Sequence, residues 1–463
     1  MGSELAHDEQ TEDEFSHRPV SAYGLHKYRF VGLLSLALLN VGAGMNTTWF
    51  GPITNATARE FDISLSQVNW LGNIVNLVFL PMSLLSPPIF KRCGIRNTSL
   101  VAAAILTIGA WMRYAATATS LTPQSAYALL FLGQVLAGVS QPVFQVICPR
   151  FSEVWFDLRG RTTATMIVSL ANPVGVAVAQ ILSPIFTSPK QSIFLFAIVS
   201  TGLMLPSLFM RNSPPKAPTH AGSLPFQGIL ITLRTLFSPG KYPHSTMDNQ
   251  DRLDMLVITL GFGVYVAGIN AFTLLSNQML SPYGYSEDTA GFMGAALILS
   301  GLLSAAVTSP LFDRVLTHHL GITLRATTPF LAAAWIALIW AVRPHNAAPL
   351  YILFALIGAI SITLLPVALE LGCEITRNAD AAAAILWFSG NLFSVVFVLV
   401  GNALTDGQDA NPPFNMRRAS IFNAVIIGSV TVLVYFLRAK QSRRELDEEM
   451  NLRSSDVGSV SVP

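Results

Sequence analysis

The chain has 463 residues, of which 52% are hydrophobic and only 12% charged, with a formal net charge of +2. Soluble domains run nearer a quarter charged, so a globule wetted on every side is excluded, and the near-neutral balance offers nothing to nucleic acid. Three cysteines, Cys93, Cys148 and Cys373, lie too far apart for a metal site or a disulfide framework and read as small buried apolar residues.

Residues 1–29 are polar and include the acidic run DEQTEDEF (8–15), which predicts a disordered tail rather than a cleavable leader. Runs free of Asp, Glu, Lys and Arg then follow in series. They are Phe30–Ala58, Ile63–Phe90, Asn97–Met112, Tyr114–Pro149, Thr162–Pro189 and Gln191–Met210. The fourth run holds the end of a third helix, a short turn (SLTPQS) and a whole fourth helix. A polar stretch rich in Pro, Ser and His comes next, residues 211–252. Beyond it lie Met255–Ser286, Thr289–Phe312, Ala326–Val342, Pro344–Leu369, Ala381–Thr405 and Ala419–Leu437. A helix crosses the hydrocarbon with about 20 apolar residues. The pattern predicts an all-α membrane protein of twelve transmembrane helices in two pseudo-symmetric six-helix bundles, residues 30–210 and 253–437, with a tail at 438–463. Six plus six about a basic linker is the outline of a two-bundle transporter.

Basic residues set the orientation. With the N-terminus in the cytosol, only Arg59, Arg113, Lys190, Arg343, Arg417 and Arg418 of the 28 Lys and Arg fall outside, and the other 22 fall inside. Both termini and the linker are therefore expected in the cytosol. The spans are dense in small residues, as in NVGAGMN (40–46), SLANPVGVAVA (169–179) and GFMGAALILSGLLSAA (291–306), which let backbones approach where lipid supplies no hydrophobic drive. Pro81, Pro142, Pro173 and Pro366 interrupt the helical ladder and either shape the bundle or line the path.

Titratable groups are scarce at central depth. Glu370 and Glu374 share one face near the cytosolic end of helix 10. Glu370 is expected to pair with an arginine such as Arg150 or to serve a gate, and Arg113 to snorkel at the outer end of helix 3. A proton relay normally needs a buried carboxylate, so the sequence leans toward uniport. Uncharged polar residues are plentiful: Asn46, Trp49, Asn73, Asn76, Gln141, Gln145, Asn172, Asn270, Asn277, Gln278, Trp387 and Asn391. Singly, each reads as helix–helix glue. Together they suit a cavity for a neutral or zwitterionic solute, or for a cation held by aromatic faces. From this set Asn46, Trp49, Asn270, Asn277, Gln278, Trp387 and Asn391 are expected to face the solute. No P-loop, metal constellation or nucleophile elbow is present, so neither an ATP-driven pump nor an enzyme is expected, and no cofactor or metal. Asn55-Ala56-Thr57 is a glycosylation sequon just beyond helix 1.

The segment SPPIFKRCGIRNT (86–98) resembles the loop between helices 2 and 3 of the major facilitator superfamily, with Gly94 and Arg96 in place and Lys91 where the superfamily has Asp. SPLFDRV (309–315) repeats the motif between helices 8 and 9 and keeps Asp313 and Arg314. The resemblance implies gating roles for Gly94, Arg96, Asp313 and Arg314, beside the gate role that its position gives Glu370. Within the superfamily the chain is similar to the group of feline leukaemia virus subgroup C receptor and disrupted-in-renal-carcinoma proteins. TWFGPITNA (48–56), VNWL (68–71), IGAWMRY (108–114), LGQVLAGVSQPVF with PRFSEVWF (132–156), LLSNQM with SEDTAGFMG (274–294), ELGCEIT (370–376) and LWFSGNLF (386–393) carry it. The resemblance implies a facilitator for choline-, vitamin- or haem-like metabolites. Trp49 stands near, but out of register with, the helix 1 Trp of that group's cation cage. Asn270 stands where the cage has Tyr, and Pro173 and Asn391 where it has Gln. The altered pocket leaves an exporter of a specialised metabolite or drug open, and a non-transporting receptor as a reading of another class. A monomer in the plasma membrane or a vacuolar or lysosomal membrane is expected.

Overall fold

The computed structural model describes residues 24–186, 188–224, 228–237, 247–314 and 320–439, with the side chains of 287 and 309–314 set aside. The acidic run at 8–15 and most of the tail after Leu437 lie outside the described residues. Every regular element among the described residues is helical. Among the described residues, eleven helices are long and apolar enough to cross a membrane, and one of them, Leu65–Ala115, has 51 residues. At about 1.5 Å per residue it would measure roughly 77 Å, more than twice the hydrocarbon thickness of about 30 Å. It breaks at Gly94, whose φ of 75° and ψ of 165° are non-helical, and so supplies two spans. The spans are therefore α1 (Arg29–Thr48), α2 (65–93), α3 (95–115), α4 (Pro123–Val146), α5 (Arg161–Leu182), α6 (Pro189–Met204), α7 (Asn249–Leu280), α8 (Glu287–Arg314), α9 (Leu320–Ala341), α10 (Ala347–Thr376), α11 (Ala379–Ala403) and α12 (Arg417–Val434).

Local chemistry explains several starts. Ser64 and Gln67 form a reciprocal capping box on α2, and Asp248 and Asp251 do the same for α7. Asn378 accepts from the Ala381 amide at 3.1 Å and caps α11. The helices continue through Pro81, Pro142, Pro173 and Pro366. The segment predicted as a loop at 86–98 is helical on both sides of Gly94, so the turn occupies a single residue. A side chain at Gly94 would collide with Asn212, whose Oδ1 accepts from the Arg96 amide at 2.9 Å and so satisfies the start of α3.

The two halves pack alike. α1 lies on α5 as α7 lies on α11, α3 on α6 as α9 on α12, and α2 on α4 as α8 on α10. Exchanging the halves, six labels up or down, also turns the pair α2–α11 into α8–α5, and these two pairs form the seam between the halves. Glycines set the closest approaches. A Cβ on Gly175 would sit 2.0 Å from the Val41 carbonyl oxygen, and one on Gly358 would sit 1.7 Å from that of Leu297. Only a residue without Cβ fits there, which is the physical content of the small-residue runs.

The linker is no slack tether. Its described residues include the helix Ile229–Phe237 and lie across the face that carries Gly24 and Ala439, called here the terminal face. The Gly24 amide donates to the Ala217 carbonyl, Tyr28 Oη to the Phe209 carbonyl, and Arg252 Nε to the Thr235 carbonyl.

Candidate functional site

The side of α2 that meets the second half carries Asn69, Gly72, Asn73, Asn76 and Phe79, spaced by three and four residues. Its contacts fix what that side faces. Asn69 Oδ1 accepts from Gln278 Nε2 of α7 at 2.8 Å. A Cβ at Gly72 would meet the Leu274 side chain at 2.5 Å. Phe79 lies 6.4 Å from Trp387 of α11. Asn73 and Asn76 sit between these contacts.

Asn73 is 1% exposed and Asn76 2%. Neither Asn73 Nδ2 nor Oδ1, nor Asn76 Nδ2, has a hydrogen-bond partner among the described residues. Across the seam the Trp387 indole Nε1 is also buried without a partner. Trp387 stands edge-on to Phe262 of α7, with ring centroids 5.1 Å apart. An aromatic trio from three helices and both halves thus sits beside two unsatisfied amides. The amides supply donors and acceptors, and the ring faces supply a surface for a cation or an apolar group.

Both ends of the seam are shut. At the far face, Gln278 bonds Asn69, and Gln180 Nε2 of α5 donates to the Thr273 carbonyl at 3.4 Å. Gly51 approaches that same carbonyl, where a Cβ would be 3.0 Å away. At the terminal face the short helix Cys148–Trp155 packs on α10 and α11. Arg150 pairs with Glu153 at 2.6 Å, both buried, and Asp380 at the start of α11 lies in the field of both. Linker residues cover this end. Arg150 Nη2 donates to the Leu224 carbonyl, Arg161 Nη2 to Thr219 Oγ1 at 2.8 Å, and Asn378 Nδ2 to Thr232 Oγ1 at 3.1 Å.

The residues singled out from the sequence separate into groups. Trp387 is at the seam, and Asn391 lies one turn beyond it, its Nδ2 held by the Trp387 carbonyl at 2.9 Å. Gln278 is at the far closure, and Asn277 is buried beside it. Asn270 is half-buried and donates to Ser394 Oγ of α11 at 2.9 Å. Asn46 and Trp49 are turned into the first half. Trp49 is fully buried, donates from Nε1 to Ser192 Oγ at 3.1 Å and packs against Phe196 with centroids 4.6 Å apart. Asn46 Oδ1 accepts from Arg113 Nη2.

Arg113 does not snorkel. It is fully buried, bonded to Asn46, Gln134 and the Gly109 carbonyl, and rests 4.6 Å above the Phe196 ring. Packing of α3 against α4 seals it, since a Cβ at Gly133 would strike its stem at 2.6 Å. Arg150 pairs with Glu153 of its own helix. Glu370 and Glu374 are both buried on α10. The segment expected as the loop between helices 8 and 9 is helical to Arg314, so Asp313 and Arg314 lie on the last turn of α8 and their side chains are outside the described set. Asn55 is half-buried in the first turn of a short helix, Thr54–Phe61, and its sequon partner Thr57 is fully buried. Phe79, Phe262 and Asp380 went unmarked in the sequence, the first two because apolar residues in an apolar span carry no signal, the third because it sits at a helix start.

Comparison with known proteins places this architecture. The Major Facilitator Superfamily pattern matches residues 36–400. Solute carrier family 49 member A3 of Xenopus tropicalis is 24% identical over 97% of this chain and 99% of its own length. The human choline/ethanolamine transporter FLVCR2 is 22% identical over 86% of this chain and 75% of its own. The crystal structure of a double tryptophan mutant of XylE superposes with a TM-score of 0.67 at 14% identity, covering 93% of this chain and all of that one, a likeness of fold. The chain is a multi-pass membrane transporter of small organic solutes and belongs to the major facilitator superfamily.

Proposed function

We propose that the chain is a facilitator that carries a small organic solute with a polar or ammonium head through the seam between its halves, by alternating access. The observation that carries this reading is the set of unpaired groups at Asn73, Asn76 and Trp387, between two closed ends. In hydrocarbon no water satisfies a buried amide. Leaving one unpaired costs about 1–3 kcal/mol on protein scales, so a solute that takes those bonds has a direct source of affinity. The Trp387 face, buttressed by Phe79 and Phe262, supports a cationic or apolar portion at about 0.5–2 kcal/mol. The FLVCR2 relative is a choline/ethanolamine transporter, and such solutes agree with that chemistry.

The excess of Lys and Arg supports a cytosolic terminal face. The Gln278–Asn69 end is then the outer gate. Arg150, Glu153 and Asp380 form the inner gate, with Gly94, Arg96, Asp313, Arg314 and Glu370 at its rim. Asn270 and Asn391 border the path. One chain supplies both halves of the seam, so the unit is a monomer, in the plasma membrane or a vacuolar or lysosomal membrane. One observation favours a second reading, an exporter of a specialised metabolite. Trp49 is turned inward and Asn270 is tied to Ser394, so the cation cage implied by the resemblance is not assembled.

Counterflow in proteoliposomes separates the two. Purified protein with labelled choline, ethanolamine, pyridoxine or haem is expected to exchange at least one saturably, independent of a proton gradient. Exchange of none of them, with a hit only in a broad metabolite pool, moves the assignment to the exporter.

A further inference from the structure

Acidic residues are unevenly placed along the chain. None occurs between Asp62 and Glu153 or between Asp157 and Asp248, while residues 1–23 hold Glu4, Asp8, Glu9, Glu12, Asp13 and Glu14 against Arg18 alone among Lys and Arg. The fold gathers cations of the acid-free stretches at the terminal face. Lys91 and Arg92 lie on the last turn of α2 and Arg96 on the first turn of α3, all three exposed around the Gly94 turn. Asn212 of the linker holds that turn through the Arg96 amide, so its exposed neighbour Arg211 lies beside it. The Arg211 guanidinium rests 3.8 Å from the centre of the Tyr28 ring, which brings in exposed Lys27. Lys27, Lys91, Arg92, Arg96 and Arg211 form no ion pair among the described residues. Five exposed cations from three segments thus share one patch, and like charges held together favour an anion over them.

The chain itself leads an anion there. The Gly24 amide donates to the Ala217 carbonyl at 3.0 Å, and a Cβ on Gly24 would lie 3.8 Å from the Lys216 side chain. The segment 1–23 therefore leaves from the edge of the patch. Glu14 is ten residues before Gly24, within roughly 33–36 Å at full extension. A tether that short gives a local concentration on the order of millimolar. We infer that the acidic run at 8–15 docks on this patch, its carboxylates shared among Lys91, Arg92, Arg96 and Arg211. Lipid phosphates suit the same cations, but the run needs no second molecule and cannot diffuse away. Docked, it spans the α2–α3 turn and the linker together and restrains the terminal face from opening. That consequence rests on the alternating-access reading, whereas the docking itself does not.

Cys93 is a reporter already in place. It is exposed between Arg92 and Gly94, whereas Cys148 and Cys373 are buried. The full chain, one copy per phosphatidylcholine nanodisc, is treated with N-ethylmaleimide, and modification of Cys93 is followed by mass spectrometry. The comparison variant carries Asp8→Asn, Glu9→Gln, Glu12→Gln, Asp13→Asn and Glu14→Gln, which touch no span. The expected result is a several-fold faster rate in that variant, and the same rise in the wild type at about 1 M salt, where the Debye length is roughly 3 Å. A carbodiimide, which couples a carboxylate to a lysine amine in direct contact, should join residues 8–14 to Lys91 or Lys216 in the wild type. Lys91→Arg should lose the Lys91 product and keep the slow Cys93 rate. Equal Cys93 rates in the wild type and the neutralised variant, or the absence of both cross-links, overturn the inference. A rate that falls equally in both proteins on adding phosphatidylserine also overturns it, because lipid then occupies the patch. None of these readouts needs transport, so a failure here is distinct from a failure of the facilitator reading.

Discussion

Replacing Asn73 by Leu, a side chain of similar shape and no polarity, should move stability and binding in opposite directions. In the closed protein both polar atoms of Asn73 are buried and have no partner among the described residues. Removing that penalty recovers on the order of 1–3 kcal/mol. Spread over a half of this size, it raises the thermal midpoint by roughly 2–10 °C. The same change deprives a bound solute of up to two hydrogen bonds, each worth about 0.5–1.5 kcal/mol net, so affinity falls by roughly 5- to 150-fold. The assay is paired: thermal unfolding of the purified protein without solute, then counterflow at graded solute. A residue that only glues helices gives the opposite outcome, a lower midpoint with unchanged affinity. That outcome would refute the placing of Asn73 on the solute path.

Trp387→Ala should weaken a cationic solute by about 0.5–2 kcal/mol, a roughly 2- to 30-fold rise in its half-saturating concentration, with Trp387→Phe in between; equal effects on a neutral solute would count against ring-face recognition. Trp49→Ala should act on folding, since it empties a fully buried aromatic site at about 3–5 kcal/mol, and surface expression should fall before affinity does. Gly175→Ala forces a methyl into the Val41 carbonyl and should cost about 1–3 kcal/mol or more, read as loss of monodisperse protein. Arg150→Ala removes one buried ion-pair partner of Glu153 and should loosen the closed terminal face; cysteine accessibility at that face should rise, and an unchanged rate would remove Arg150 from the gate.

Span number was legible because hydropathy in a bilayer is nearly binding: a backbone in lipid satisfies itself as a helix. Even the fused Leu65–Ala115 helix divides where length demands, at a glycine. The site was legible only in its chemistry. The amides stood out as polar residues in apolar spans, but which of them face the seam depends on helix rotation, and rotation is set by packing. Asn46 and Trp49 look like path residues until Arg113 and Ser192 take their hydrogen bonds inside the first half. Asn73 and Asn76 look like glue until the contacts of Asn69 and Phe79 turn that side of α2 to the second half. Phe262 became visible only through its distance to Trp387. The linker's polar composition concealed that Thr219, Leu224 and Thr232 hold both halves at one face.

Solute protection at position 76 tests the central claim most directly. In a background with Cys93, Cys148 and Cys373 replaced by serine, Asn76→Cys would be labelled with a membrane-permeant thiol reagent, with and without the solute found by counterflow, and Asn46→Cys would serve as the control inside the first half. The account predicts slow labelling at 76, as the seam opens, that saturating solute blocks, and labelling at 46 that solute leaves unchanged. Labelling at 76 that is indifferent to solute, beside protection at 46, would place the path inside the first half and contradict the account.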